Sequence, residues 1–246
     1  HLFRDDDQIM TGKRHGFFSH YKAGFDDEGK LLALDVQLNS DGGAALDLSG
    51  AIMERALFHI DNAYFSPNLR VTGQVWKTNY PPNTAFRGFG GPQGMAVVET
   101  VIDRIARILK KDPAEIRRLN FYQNNRFNKT HYGQIVENCR LEMLYKRLIE
   151  ISDYSEIKTD VEEFNKRNEF YKMGIALTPV KFGISFTTSF LNQAGALVHI
   201  YKDGTVQVNH GGTEMGQGIH TKILSVASTE LGISEQFISI APTNTH

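Results

Sequence analysis

With 246 residues, 41% of them hydrophobic, the chain can bury a sizeable core, which excludes a disordered or fibrous protein. Twenty-seven Lys and Arg against 28 Asp and Glu leave a net charge of −1 and a pI near 6.8, so no global field recruits nucleic acid or an anionic membrane. The one cysteine, Cys139, excludes an internal disulfide framework and any thiolate-held zinc or iron–sulfur cluster built by this chain alone.

No apolar run approaches the roughly 18–20 residues of a membrane span, and the acidic start HLFRDDDQIM is unlike a signal peptide. A reducing, cytoplasmic setting is therefore expected. The lack of an initiator Met and the stop after QFISIAPTNTH lead us to expect an internal excerpt of a longer protein.

In chain order, residues 15–46 read as a hairpin around Asp26-Asp27-Glu28-Gly29, with alternation at Leu32, Leu34, Val36 and Leu38. A short helix covers IMERALFH. RVTGQVWK (70–77) is a strand candidate after the Pro67-Asn68 turn. Met95, Val98, Ile102, Ile105 and Leu109 recur three or four apart and predict an amphipathic helix opened by Pro92. Asp112-Pro113 starts a second helix by N-cap and Pro at the first position. Residues 123–133 are irregular, and helices are expected over 141–151 and 161–170. The β signal returns in GIALTPVKFGISF and in ALVHIYKDGTVQVNH, a hairpin over Lys202-Asp203-Gly204. The turn GGTEMGQG then leads into a helix over 219–231, and ISEQFISIAP predicts a last strand. No internal repeat is visible. Strands and helices cluster as well as alternate, which predicts an α+β fold of mixed sheets with packed helices. A boundary is expected near residues 152–172, giving a first domain over residues 1–155 and a second over residues 156–246.

Two glycine-rich turns opening helices could carry chemistry. In NTAFRGFGGPQG (83–94) four glycines allow close backbone approach, the helix start offers N–H donors, and Arg87 adds a planar cation, which suits an anionic or oxygen-rich group. A tight strand-to-helix turn explains the same glycines. The spacing is neither a dinucleotide fingerprint nor a P-loop. In HGGTEMGQG (210–218), Gln217 can donate and accept, as a heterocycle requires, or simply cap the helix. His210, Glu214 and His220 lack the spacing of a two-histidine metal helix. Arg55 lies among apolar residues and needs a partner, for which Glu54 or a surface ion pair is the plain choice. Phe86 and Phe89 flank Arg87 where a flat ligand or ordinary packing could use them, and Phe182, Phe186 and Thr187 read as strand residues.

The strings IMERALFHIDN, KTNYPPNTAFRGFGGPQGM, PAEIRRLNFY, KFGISFTTSFLNQAGALVHIYKDG and HGGTEMGQGIHTK together resemble the molybdenum-cofactor-binding portion of xanthine dehydrogenases, within the molybdenum hydroxylase family that also holds aldehyde oxidases. The resemblance runs from RDDDQIMTGKRH to the final TNT. It implies oxidative hydroxylation of hypoxanthine and xanthine to urate with water as oxygen source. Molybdopterin carries the molybdenum, and electrons leave through two [2Fe–2S] clusters to FAD and then NAD, on domains or subunits that assemble into a homodimer or heterotetramer. It further implies that Phe86, Arg87, Gly88 and Gln217 contact the cofactor, Arg87 through backbone near molybdenum. Arg55 would bind purine oxygens, Phe89 and Phe186 would sandwich the ring face-on and edge-on, and Thr187 would hydrogen-bond it. An aldehyde or another N-heterocycle is the alternative substrate, and a noncatalytic scaffold the alternative role. The family's substrate-binding glutamate and general-base glutamate have no match here, so no catalytic acid or base is expected within residues 1–246 and the fragment alone is expected to be inactive.

Overall fold

The turn at residues 26–29 joins β1 (Phe17–Phe25) to β2 (Leu31–Gly43) as an antiparallel pair in the computed structural model, which describes residues 2–242. Asp26 Oδ1 accepts the amides of Glu28 and Lys30, and Gly29 takes φ +95°, where a side chain would be strained. Leu34, Val36 and Leu38 are buried as the alternation predicts, but Leu32 is exposed and Leu31 is buried instead. The cause is a register shift at Gly24/Phe25, where one extra residue of β2 reverses the phase.

A short helix, α1 (Arg4–Met10), precedes the hairpin. From β2 the chain crosses through α2 (Ser49–Phe58) to β3 (Leu69–Lys77), which lies parallel beside β2 in the order β1-β2-β3. The predicted stripe forms α3 (Gly91–Leu109), whose Val98, Val101, Ile102, Ile105 and Ala106 enter the core with Pro92 in the first turn. Asp112 caps α4 (Pro113–Leu119) by accepting the Ala114 amide. Helices α5 (Leu141–Ile151) and α6 (Tyr154–Arg167) follow, separated by Asp153 at φ +49°. α6 thus begins seven residues before its expected start at Val161 and stops three short of Phe170. No strand forms over 174–186, contrary to expectation.

Cα packing divides the chain into two compact units, 1–187 and 188–246. In the second, β4 (Ala196–Ile200) pairs antiparallel with β5 (Val206–His210), and α7 (Ile219–Leu231) crosses to β6 (Ile238–Ile240), parallel to β5. Val206, Val208 and Ile238 form its small core with Ile223, Leu224 and Ala227 of α7. Each unit therefore carries an antiparallel hairpin followed by a helical crossover to a third, parallel strand, a repetition of connectivity that the amino-acid sequence does not display. No described helix is long and apolar enough to cross a membrane.

Candidate functional site

Helix α2 places Arg55 on its buried face, 5% exposed, where an unpaired cation would be costly. Its partner is neither Glu54 nor a surface carboxylate: Nη1 donates to the Gly183 carbonyl and Nη2 to that of Ser185. Two more groups one helical step apart continue this line. His59 Nε2 lies 3.0 Å from the Gly183 amide nitrogen. Asn62 donates to the Pro179 carbonyl at 2.9 Å and accepts from the Lys181 amide at 3.1 Å. Residues 179, 181, 183 and 185 thus present backbone groups to α2 and the turn after it, with the period-2 pattern of a strand. Side chains take the place of a neighbouring strand, which explains both the β signal in GIALTPVKFGISF and the absence of β pairing.

Below this segment Asp61, 2% exposed, accepts from Lys181 Nζ and the Tyr122 hydroxyl, each at 2.6 Å. Burial pushes its pKa up, and His131, Lys181 and Tyr122 together outweigh that and leave it below the ordinary carboxylate value. Glu99 accepts from Arg117, Asn62 and the Tyr64 hydroxyl. These buried pairs hold the end of α2 to α3, α4 and the segment carrying Phe186 and Thr187.

Two aromatic rings flank the Arg55 guanidinium, and a third packs on one of them. It lies 5.4 Å from the Phe182 ring centre and 5.7 Å from that of Phe89, within range of cation–π attraction. Phe89 and Phe186 have centroids 5.3 Å apart at 51°, an aromatic pair in direct contact. Holding a planar heterocycle between them requires the rings to part. The Thr187 hydroxyl is buried with no hydrogen-bond partner among the described residues. The fold therefore brings Arg55, Phe89 and Phe186 together from α2, the turn before α3 and the extended segment.

The turn before α3 runs Gly88, Phe89 and Gly90 at φ +96°, +49° and +94°. A Cβ on Gly90 would lie 2.0 Å from the Ile52 carbonyl oxygen, and one on Gly94 2.3 Å from that of Ala56, so both glycines allow α3 to close on α2. Arg14, which the sequence did not single out, donates from Nη2 to the Arg87 carbonyl at 2.6 Å and stacks 4.4 Å over the Phe86 ring, while its buried Nη1 finds no partner among the described residues. Gln93 Oε1 is likewise buried and unpartnered there.

In the second unit Gln217 closes its own turn, accepting from the Met215 amide at 2.6 Å and donating to the Thr213 carbonyl at 2.7 Å. Glu214 accepts the amides of Gly216, Gly218 and Ile219, occupying the start of α7. His210 and His220 stand 3.1 Å apart through Nε2 and Nδ1, and no group of three His, Cys, Asp or Glu among the described residues could hold a metal ion. Desolvation raises the Glu214 pKa, but the amides of Gly218, Gly216, Ile219 and His220 outweigh it and hold the value at about 2, below the ordinary 4.5. A depressed carboxylate pKa contributes stability that is complete above the ordinary value and lost as pH falls toward the folded one. Glu214→Gln should therefore flatten the fall of melting temperature with pH between about 4.5 and 2; an unchanged acid limb would contradict this capping role.

Residues 1–121 match one family model of a molybdopterin cofactor-binding domain, and residues 147–246 match a second. The chain belongs to the molybdopterin cofactor-binding domain family. It is 50% identical over 244 residues to xanthine dehydrogenase 1 of Arabidopsis thaliana, covering 99% of this chain and 18% of that protein. It is also 50% identical over 245 residues to the xanthine dehydrogenase/oxidase of Mus musculus, covering 100% and 18%. The chain thus spans under a fifth of the length of these curated relatives. Among solved structures it is similar to quinoline 2-oxidoreductase from Pseudomonas putida 86, with a TM-score of 0.77 at 25% identity over 97% of this chain and 32% of that one. Aldehyde oxidoreductase from Desulfovibrio gigas shares the fold, with a TM-score of 0.75 at 24% identity over 96% and 26%.

The residues present fit a molybdopterin. Buried polar atoms in folded chains are nearly always paired, yet Arg14 Nη1 and Gln93 Oε1 have no partner among the described residues. A donor and an acceptor are thus left over beside the first glycine-rich turn, as an oxygen- and nitrogen-rich ligand would require.

Proposed function

We propose that the complete protein containing this chain hydroxylates hypoxanthine and xanthine to urate, with molybdopterin held partly by Phe86, Arg87 and Gly88 of the first glycine-rich turn and by Gln217 of the second. The redox chemistry, removal of two electrons from a ring carbon that gains its oxygen from water, is supplied by molybdopterin when bound. The observation that carries the purine reading is Arg55, a buried guanidinium beside the Phe89–Phe186 pair. In that position it stabilises negative charge developing on a purine carbonyl, and the planar aromatics orient the ring. Thr187 offers a buried hydroxyl free to pair with a ring nitrogen or oxygen.

The similarity to proteins named xanthine dehydrogenase supports this substrate. Electron transfer through two [2Fe–2S] clusters and FAD to NAD, the supply of general base and second glutamate by other segments, assembly as a homodimer or heterotetramer, and a cytoplasmic setting belong to the same proposal. So does the division into domains over residues 1–155 and 156–246, each carrying one glycine-rich turn. A second reading, hydroxylation of another N-heterocycle or an aldehyde, is favoured by the engagement of Arg55 with the Gly183 and Ser185 carbonyls, which leaves less of the guanidinium for a substrate.

The test is steady-state turnover of the complete protein, loaded with molybdopterin, on xanthine and on an aromatic aldehyde with NAD reduction followed. Urate formation is expected. Molybdopterin-loaded protein that turns over the aldehyde and not xanthine would transfer the assignment to the second reading.

A further inference from the structure

The segment ending in Phe186 and Thr187 has no strand partner, so its position depends on side chains of α2 and the turn that follows. His59 is central among these. It is 7% exposed, its Nδ1 lies 2.9 Å from the Arg55 carbonyl oxygen, and its Nε2 lies 3.0 Å from the Gly183 amide nitrogen. An amide N–H can only donate, so Nε2 is the bare acceptor nitrogen. Nδ1 then carries the hydrogen and donates it to the Arg55 carbonyl. Both neighbours thus assign one neutral tautomer, and the ring further packs against Phe182 with centroids 4.9 Å apart.

Arg55 holds the carbonyl of Gly183 while His59 holds its amide, so a single residue of the segment is gripped on both backbone groups from one face of the helix. Gly183 lies three residues before Phe186, whose ring touches Phe89.

We propose that His59 is a positioning residue for substrate binding, its neutral imidazole fixing Gly183 and thereby setting Phe186 and Thr187 against Phe89. This rests on the reading of Phe186 and Thr187 as purine contacts. A second proton on Nε2 would remove the acceptor and set donor against donor. Burial and the Arg55 and Lys181 cations disfavour that proton, while the Arg55 carbonyl and Asp61 favour it, and the balance leaves the pKa below the ordinary histidine value. The grip is therefore complete above the ordinary histidine pKa and is released as pH falls through the folded one.

The experiment uses the complete protein with His59→Leu, which removes both hydrogen bonds, and His59→Gln, whose amide oxygen can still accept from Gly183. Hydrogen exchange of a peptide spanning residues 179–187 is measured beside the kinetics on xanthine. The Leu variant should exchange faster there and lose about 10- to 100-fold in kcat/KM, carried mainly by KM, as expected for misplacement of substrate-orienting groups. The Gln variant should recover most of both, with molybdopterin content equal in all three proteins. Unchanged exchange in the Leu variant, or a Gln variant as impaired as Leu, would overturn the proposal. The expected exchange response in a protein with no xanthine turnover would instead overturn the purine assignment and leave the positioning role of His59 standing.

Discussion

Arg55→Met in the complete protein should lower kcat/KM for xanthine by about 10²- to 10³-fold, the range found when one donor to a developing negative charge is removed, while turnover of an aromatic aldehyde persists. Methionine preserves the apolar stem that packs in α2 but removes every donor. The geometry adds a complication to this simple substitution. The same guanidinium satisfies the carbonyls of Gly183 and Ser185, and leaving a buried carbonyl unpaired costs about 1–3 kcal/mol. A general loosening of the 179–187 segment would depress both substrates together. Selective loss of xanthine turnover therefore assigns Arg55 to the purine, whereas equal losses with a lowered melting temperature would assign it to the clamp and remove the main support for a purine substrate. Arg55→Lys is the useful companion, since it keeps the charge but cannot reach two carbonyls in fork geometry.

Gly90→Ala should destabilise the first unit by about 2–6 kcal/mol and lower molybdopterin content in proportion, since strain of this backbone region and overpacking each cost about 1–3 kcal/mol. The residue stands at φ +94°, and a Cβ there would meet the Ile52 carbonyl oxygen at 2.0 Å. The obstructing atom belongs to the backbone of α2, so relief requires moving the helix that carries Arg55 three residues later. Gly50→Ala is the control: nothing lies within 4 Å of the place its methyl group would take, and it should be neutral or stabilising by up to about 1 kcal/mol. Denaturant midpoints for the two variants, with molybdopterin assayed per chain, check both statements. Similar midpoints would show that α2 and α3 can separate freely at this turn.

The helix of Gly91–Leu109 and both hairpins were legible because their stabilisation is local: a 3.6-residue apolar stripe and short turns with Asp and Gly at the required positions. Residues 174–186 misled for an equally definite reason. Their alternation is real, but it matches side chains at positions 55, 59 and 62 and no strand. The spacing of Arg55, His59 and Asn62, four and then three residues, was available as a sign of one helical face, although nothing in it says what that face would hold. Leu32 shows the same limit on a smaller scale, since a one-residue register shift in the hairpin moved it from the core to the surface.

The amino-acid sequence by itself determined the α+β class, most element positions, and the motifs whose order ties the chain to molybdopterin binding, because periodicity, turn chemistry and motif spacing are written along one dimension. Only the tertiary structure decided that Arg55 meets Phe89, which packs on Phe186, that Arg14 supports the Arg87 backbone, and that His59 is a neutral acceptor. It alone also showed that the two units repeat one connectivity. Each of these depends on contacts between residues 30 to 130 positions apart or on strand pairing, and such contacts are set by how helices and sheets pack after their local patterns have formed.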